Sequence, residues 1–176
     1  MEGLCWMFME RELKNLKNLK KLKNLKGTKQ FAEEFLSEVL RGDEERNVIL
    51  LQGELGAGKT TFSQFLLEEI GSKGPFTSPT FVIMKKYKLR RRASQLSQKL
   101  RSPASQLKNI YHLDCYRVDE ESVLDLGWEE IVGDKRNLVL VEWPEKIKQI
   151  WPEKHWLLKF SYGSGKMNRE VKIVKI

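Results

Sequence analysis

The run Gly53-Glu54-Leu55-Gly56-Ala57-Gly58-Lys59-Thr60-Thr61 fits the pattern G-x-x-x-x-G-K-[ST] through Gly53, Gly58, Lys59 and Thr60. Residues of these types at this spacing hold phosphate. Glycines let a backbone curl with its N–H groups inward, where a β-carbon would intrude. A helix that starts at the end of the loop adds its unsatisfied N–H groups and the positive end of its dipole. Lys59 is long enough to reach β- and γ-phosphates, the Thr60 hydroxyl suits Mg²⁺, and Thr61 is placed for the α-phosphate. The expected nucleotide contacts are therefore Glu54, Leu55, Gly56, Ala57, Gly58, Lys59, Thr60 and Thr61.

Such a loop also needs a carboxylate beside the metal. Two stand at the ends of apolar runs: Asp114 in IYHLD and Glu142 in LVLVE. Converging on one site, they would divide the holding of Mg²⁺ and the positioning of an attacking water. The plainer reading of either is a helix cap or a surface ion pair. His112 lies two residues before Asp114, on the same strand face, and a lone strand histidine is more often structural than a base.

These groups need a framework, and the chain supplies an alternation of elements. Apolar residues at 31, 32, 35, 36, 39 and 40 mark a helical face over Phe31–Leu40. Asn47–Gln52 reads as a short buried strand, and Thr60–Ile70 as a helix that Gly71 ends. Strands are expected over Phe81–Leu89, Ile110–Val118, Leu138–Val141, Trp156–Tyr162 and Val171–Ile176, with a helix over Ser122–Val132. Strand, phosphate loop, helix and further strands argue an α/β sandwich around a mostly parallel central sheet flanked by helices.

With 176 residues and 40% hydrophobic composition, the chain is long enough for one domain with a real core. No apolar run approaches the roughly 20 residues of a spanning helix, and the N-terminus lacks the features of a signal peptide. Cys5 and Cys115 are far apart, so free thiols in a reducing cytoplasm are expected. The formal charge of +8 is unevenly spread: residues 11–30 carry +7 and residues 85–108 carry +9, which leaves −8 for the rest. The first basic segment contains LKNLKNLKKLKNLK, with leucines at every third residue. On a helix these would smear around the surface, so residues 1–27 read as a low-complexity arm preceding a P-loop domain over 28–176. The second holds Ala-Ser-Gln-Leu at 93–96 and again at 104–107, and reads as a basic insertion at about 90–108. Such segments are most often solvated tails or loops without chemistry, and contact with RNA or protein is the alternative reading.

Several motifs together resemble the TsaE family, whose older name is YjeE: GELGAGKTTF (53–62), TSPTF (77–81), YHLDCYR (111–117), DLGWEEI (125–131) and LVEWPEK (140–146). The resemblance covers roughly residues 28–162 apart from the insertion. It implies a P-loop NTPase-like fold and Mg-dependent ATP hydrolysis, weak alone and exercised beside TsaD and TsaB in tRNA threonylcarbamoyladenosine synthesis. It also implies catalytic roles for Lys59, Asp114 and Glu142, metal ligands among Thr60, Glu142 and Asp114, and an aromatic at Trp143 beside the nucleotide or a partner. Thr77, Ser78, Pro79 and Thr80 match the family's switch-like loop, which would sense the γ-phosphate. A small-molecule phosphotransferase and a nucleotide-gated RNA-binding adaptor are the alternatives. No N-K-x-D guanine-reading segment and no LSGGQ signature is present.

Overall fold

The computed structural model describes residues 19–41, 46–72, 74–76, 79, 82–89 and 107–176. The strands are β1 (Leu19–Leu22), β2 (Val48–Gly53), β3 (Met84–Lys88), β4 (Asn109–Asp114), β5 (Asn137–Glu142), β6 (Trp156–Tyr162) and β7 (Arg169–Lys175). The helices are α1 (Leu25–Arg41), α2 (Lys59–Glu69), α3 (Glu120–Leu124) and α4 (Trp128–Gly133), with a 3₁₀ segment over Pro144–Ile150.

All seven strands share one sheet in the order β1-β7-β6-β2-β5-β4-β3. The four central strands, β6, β2, β5 and β4, are parallel. The flanking pairs β1–β7, β6–β7 and β3–β4 are antiparallel. The expected mostly parallel sheet is thus a parallel centre in a mixed sheet. Its phosphate-loop strand is central because it is apolar on both sides: Val48, Ile49, Leu50 and Leu51 are all fully buried.

Alternation along the strands divides the core in two. Ile49 and Leu51 face α1 and α2, together with Leu138, Leu140, Leu158 and Phe160. Val48 and Leu50 face the other way, toward Val123, Trp128, Ile131 and Ile147. On the first face Phe62 of α2 anchors an aromatic group, with ring centroids 5.3 Å from Phe31, 5.9 Å from Phe35 and 5.5 Å from Phe160. On the second, the Trp128 indole donates to Ile150 O at 2.9 Å and ties α4 to the 3₁₀ segment.

Three boundaries differ from the sequence reading, each for a local reason. The basic arm was drawn to residue 27, but Leu19–Leu22 pairs with β7 and α1 begins at Leu25. Asn24 starts that helix, its side chain accepting from Gly27 N at 2.9 Å. The single helix over Ser122–Val132 is two helices. Asp119 caps the first by accepting from Ser122 N at 3.0 Å, and Gly127 at φ 81 separates it from the second. The strand taken to run to Val118 stops at Asp114, because the Asp114 carboxylate accepts from Tyr116 N at 3.0 Å and turns the chain. The ASQL repeats lie outside the described residues except for Leu107, the last residue of the second, which packs half-buried against the first core face.

Candidate functional site

Parallel strands bring their C-terminal ends to one side of the sheet, which is where α/β folds place ligands. β2 delivers the glycine loop there, β5 delivers Glu142 and β4 delivers Asp114. Asp114 and Glu142 are register partners on adjoining strands. Gly53 at φ 145 and Gly58 at φ 103 hold backbone that other residues rarely adopt, and α2 begins directly after Gly58.

Lys59 is buried, with its ammonium donating to Gly53 O at 2.6 Å and Glu54 O at 2.9 Å. The same nitrogen lies 3.7 Å from the centre of the Trp143 ring. Trp143 reaches it by a left-handed backbone turn, φ 59, directly after Glu142, and its ring packs 4.8 Å from that of Tyr116. Burial pushes the Lys59 pKa below its ordinary value, while the charges of Glu142, Glu145 and Asp114 oppose that shift.

Glu142 is the hub of the site and is only 1% exposed. One carboxylate oxygen accepts from the Thr60 hydroxyl at 2.6 Å. The other meets His112 Nε2 at 2.8 Å and Ser63 Oγ at 3.2 Å. A carboxylate only accepts, so the imidazole carries its proton on Nε2. Its Nδ1 is buried and has no hydrogen-bond partner. The Ser63 hydroxyl is shared with Lys59 O at 3.1 Å.

A cavity of about 510 Å³ opens beside these groups. Leu55, Gly56, Gly58, Lys59, Thr60 and Thr61 line it from the loop, and Asp114, Glu142 and Trp143 from the strand ends. Tyr116 and Arg117 complete the wall. Two residues of the expected nucleotide-binding set stand apart from the lining: Ala57 is buried beneath the loop and Glu54 points outward. Of the switch-like loop, Pro79 is described and buried, whereas Thr77, Ser78 and Thr80 lie outside the described residues. Ser63 is the hub's partner that sequence reasoning missed. Its signal was a lone small polar residue one helical turn after Lys59, on the buried side of α2.

The arrangement sets hard oxygen donors beside a glycine-rich loop, the N-terminus of α2 and an ammonium. Among the described residues no group of three or more His, Cys, Asp and Glu side chains forms a metal cage. A Thr hydroxyl with one or two carboxylates is instead a set that suits Mg²⁺ held jointly with phosphate oxygens. Cys115, next to Asp114, is fully buried and its thiol is pushed up to about 12, chiefly by burial and then by Asp114 and Glu145.

A parallel-centred sheet with a glycine loop entering a helix from its central strand defines the P-loop NTPase-like class of α/β proteins. Within that class a narrower likeness holds along most of the chain. Residues 22–171 match the sequence profile of "Threonylcarbamoyl adenosine biosynthesis protein TsaE", and the chain belongs to the TsaE family. It is 35% identical over 125 residues to the tRNA threonylcarbamoyladenosine biosynthesis protein TsaE of Rickettsia prowazekii, covering 70% of this chain and 72% of that one. It is 29% identical over 143 residues to the Haemophilus influenzae protein of the same name, covering 81% and 80%. The crystal structure of Bacillus subtilis YdiB superposes with a TM-score of 0.62 at 26% identity, covering 90% of this chain and 85% of that one. No described helix is long and apolar enough to cross a membrane.

Proposed function

We propose that the chain is a Mg-dependent ATPase that supports repeated turnover of the complex making N6-threonylcarbamoyladenosine in tRNA. The pathway follows from the family. The observation that carries the ATPase reading is the 2.6 Å hydrogen bond between Thr60, first hydroxyl after the loop lysine, and the buried carboxylate of Glu142. It joins the phosphate-holding element to a strand-end acid, the pairing that a P-loop uses for a metal–nucleotide complex.

The residues present fit that complex. The loop N–H groups and Lys59 bind the β- and γ-phosphates, and Thr61 takes the α-phosphate. Thr60 and Glu142 hold Mg²⁺, with Asp114 as the further carboxylate; bound there, the ion would neutralise charge that builds on the phosphates. Glu142 is held by His112, Ser63 and Thr60, which fixes its carboxylate in the cavity wall. Asp114 stands beside it to orient the attacking water and accept its proton. The Trp143 ring, backed by Tyr116, covers the ammonium and excludes water from it. Thr77, Ser78, Pro79 and Thr80 sense the γ-phosphate and pass the nucleotide state to TsaD and TsaB homologues in the cytoplasm, with tRNA met indirectly or through the basic segments.

The test mixes the protein with TsaB and TsaD and follows modified adenosine over many turnovers. Wild type is expected to sustain them and Lys59→Ala to stop after the first. A Lys59→Ala protein that sustains turnover as wild type does would overturn this function.

A further inference from the structure

A backbone that turns its N–H groups inward must turn carbonyls outward, and each outward carbonyl needs a donor. In the phosphate loop four successive carbonyls have one. Gly53 O and Glu54 O are served from the cavity side: both accept from Lys59 Nζ, and Glu54 O also accepts from Ala57 N at 3.2 Å. The next two are served from the far end of the sequence. The Tyr162 hydroxyl donates to Leu55 O at 2.5 Å, and Arg169 Nε donates to Gly56 O at 3.2 Å.

These two donors form a unit. Tyr162 ends β6, Arg169 begins β7, and they are register partners across the hairpin. The guanidinium carbon lies 4.7 Å from the centre of the Tyr162 ring. Arg169 Nη1 also donates to Lys166 O at 3.0 Å and Asn168 O at 2.9 Å, which fixes it to the turn. Neither side chain lines the cavity. Whatever they contribute to a ligand passes through the loop.

We propose that Tyr162 and Arg169 are positioning residues for the triphosphate end of the nucleotide, holding the Leu55 and Gly56 carbonyls outward so that the loop N–H groups stay aimed inward. This rests on the ATP-binding reading. Leu55 is 74% exposed, so water can satisfy its carbonyl when the tyrosine hydroxyl is removed. Fold stability therefore changes little, and the cost of ordering the loop moves to the binding step. A hydrogen bond of this kind corresponds to about a fivefold change in affinity.

Calorimetric titration with Mg-ATP and with Mg-tripolyphosphate separates the outcomes. Tyr162→Phe carries no charge change and is expected to weaken both ligands about fivefold and equally, with the melting temperature within about 2 °C of wild type. Arg169→Ala is expected to weaken both more than that, and Arg169→Lys, which keeps a donor, to recover part of the loss. Wild-type affinity for both ligands in Tyr162→Phe overturns the proposal. So does a loss confined to ATP, which would place the tyrosine at the nucleoside end. If wild type binds neither ligand, or Lys59→Ala binds both as wild type does, the ATP reading itself falls.

Discussion

Replacing either of two glycines in the phosphate loop by alanine separates two costs that are usually entangled. Gly53 and Gly58 both sit at positive φ, 145 and 103. Alanine at either position incurs backbone strain of about 2 kcal/mol. Their surroundings differ. A β-carbon on Gly58 would meet Arg169 Cγ at 3.8 Å, an ordinary contact. One on Gly53 would overlap the Phe160 carbonyl oxygen and come within 3.1 Å of both the carbonyl carbon and Cβ of the same residue. Phe160 is the register partner of Gly53 in the central β2–β6 pair, so relief requires the two strands to part. Losing one or two ladder hydrogen bonds there adds roughly 1–2 kcal/mol. Gly53→Ala should therefore cost about 3–4 kcal/mol and Gly58→Ala about 2 kcal/mol. For a chain of this length that is a fall in melting temperature of about 6–16 °C against about 4–8 °C. Thermal and urea unfolding followed by circular dichroism, both without nucleotide, measure the two. Equal losses, or a larger loss in Gly58→Ala, would refute the argument that the Phe160 carbonyl is what excludes a side chain at 53.

Other expectations concern the hub, the thiol and the first helix. Glu142→Gln should bind Mg-ATP within about tenfold of wild type and hydrolyse it at least about a hundredfold more slowly; a phosphate-release assay showing normal hydrolysis would remove Glu142 from the chemistry. In a Cys5→Ser background, Cys115 should not react with a thiol reagent at pH 8 until the protein is unfolded. Its thiol is raised from 9.0 to about 12 in the folded protein. The unfolded chain therefore loses its proton first, and the contribution to stability, full below pH 9, should fall by up to about 1.4 kcal/mol per pH unit as pH rises from about 9 to about 12. The difference in urea midpoints between Cys115 and Cys115→Ser proteins across that range checks this. Asn24→Ala should destabilise the fold by about 1 kcal/mol through loss of the α1 cap, measured by urea denaturation.

The phosphate loop and its flanking strand and helix were legible because local chemistry dictates them. Only glycine suits those backbone angles, and a run such as NVILLQ has nowhere to go but the middle of a covered sheet. The convergence of Asp114 and Glu142 was legible for a related reason: each ends an apolar strand, and parallel strands end on one side. What eluded the sequence was decided across the fold. Leu19–Leu22 carries no strand pattern; it is a strand because β7 offers it a hydrogen-bonding edge, with Lys20 reaching Glu34 on α1 at 3.5 Å. The break at Gly127 was written in its glycine but outweighed by the apolar spacing on either side. His112 was placed on the same strand face as Asp114, yet its partner is Glu142 of the neighbouring strand. Tyr162 and Arg169 left no local signal at all, since their partners lie 107 and 113 residues away.

The order of the strands gives the lysine-rich segments a further meaning. Among the described residues β1 and β3 are the two outer strands of the sheet, and they read LKKL and MKKYK. Lys20, Lys21, Lys86 and Lys88 are exposed there. A sheet edge with unpaired backbone groups invites another copy of the same chain to add a strand. Here the in-register pairings of β1 on β1 or β3 on β3 set lysine against lysine at strand spacing, where like charges repel. Each edge strand is also short, four and five residues. The lysines of β1 and β3 thus set like charge along both outer strands of the described sheet, which opposes edge-to-edge pairing of two copies.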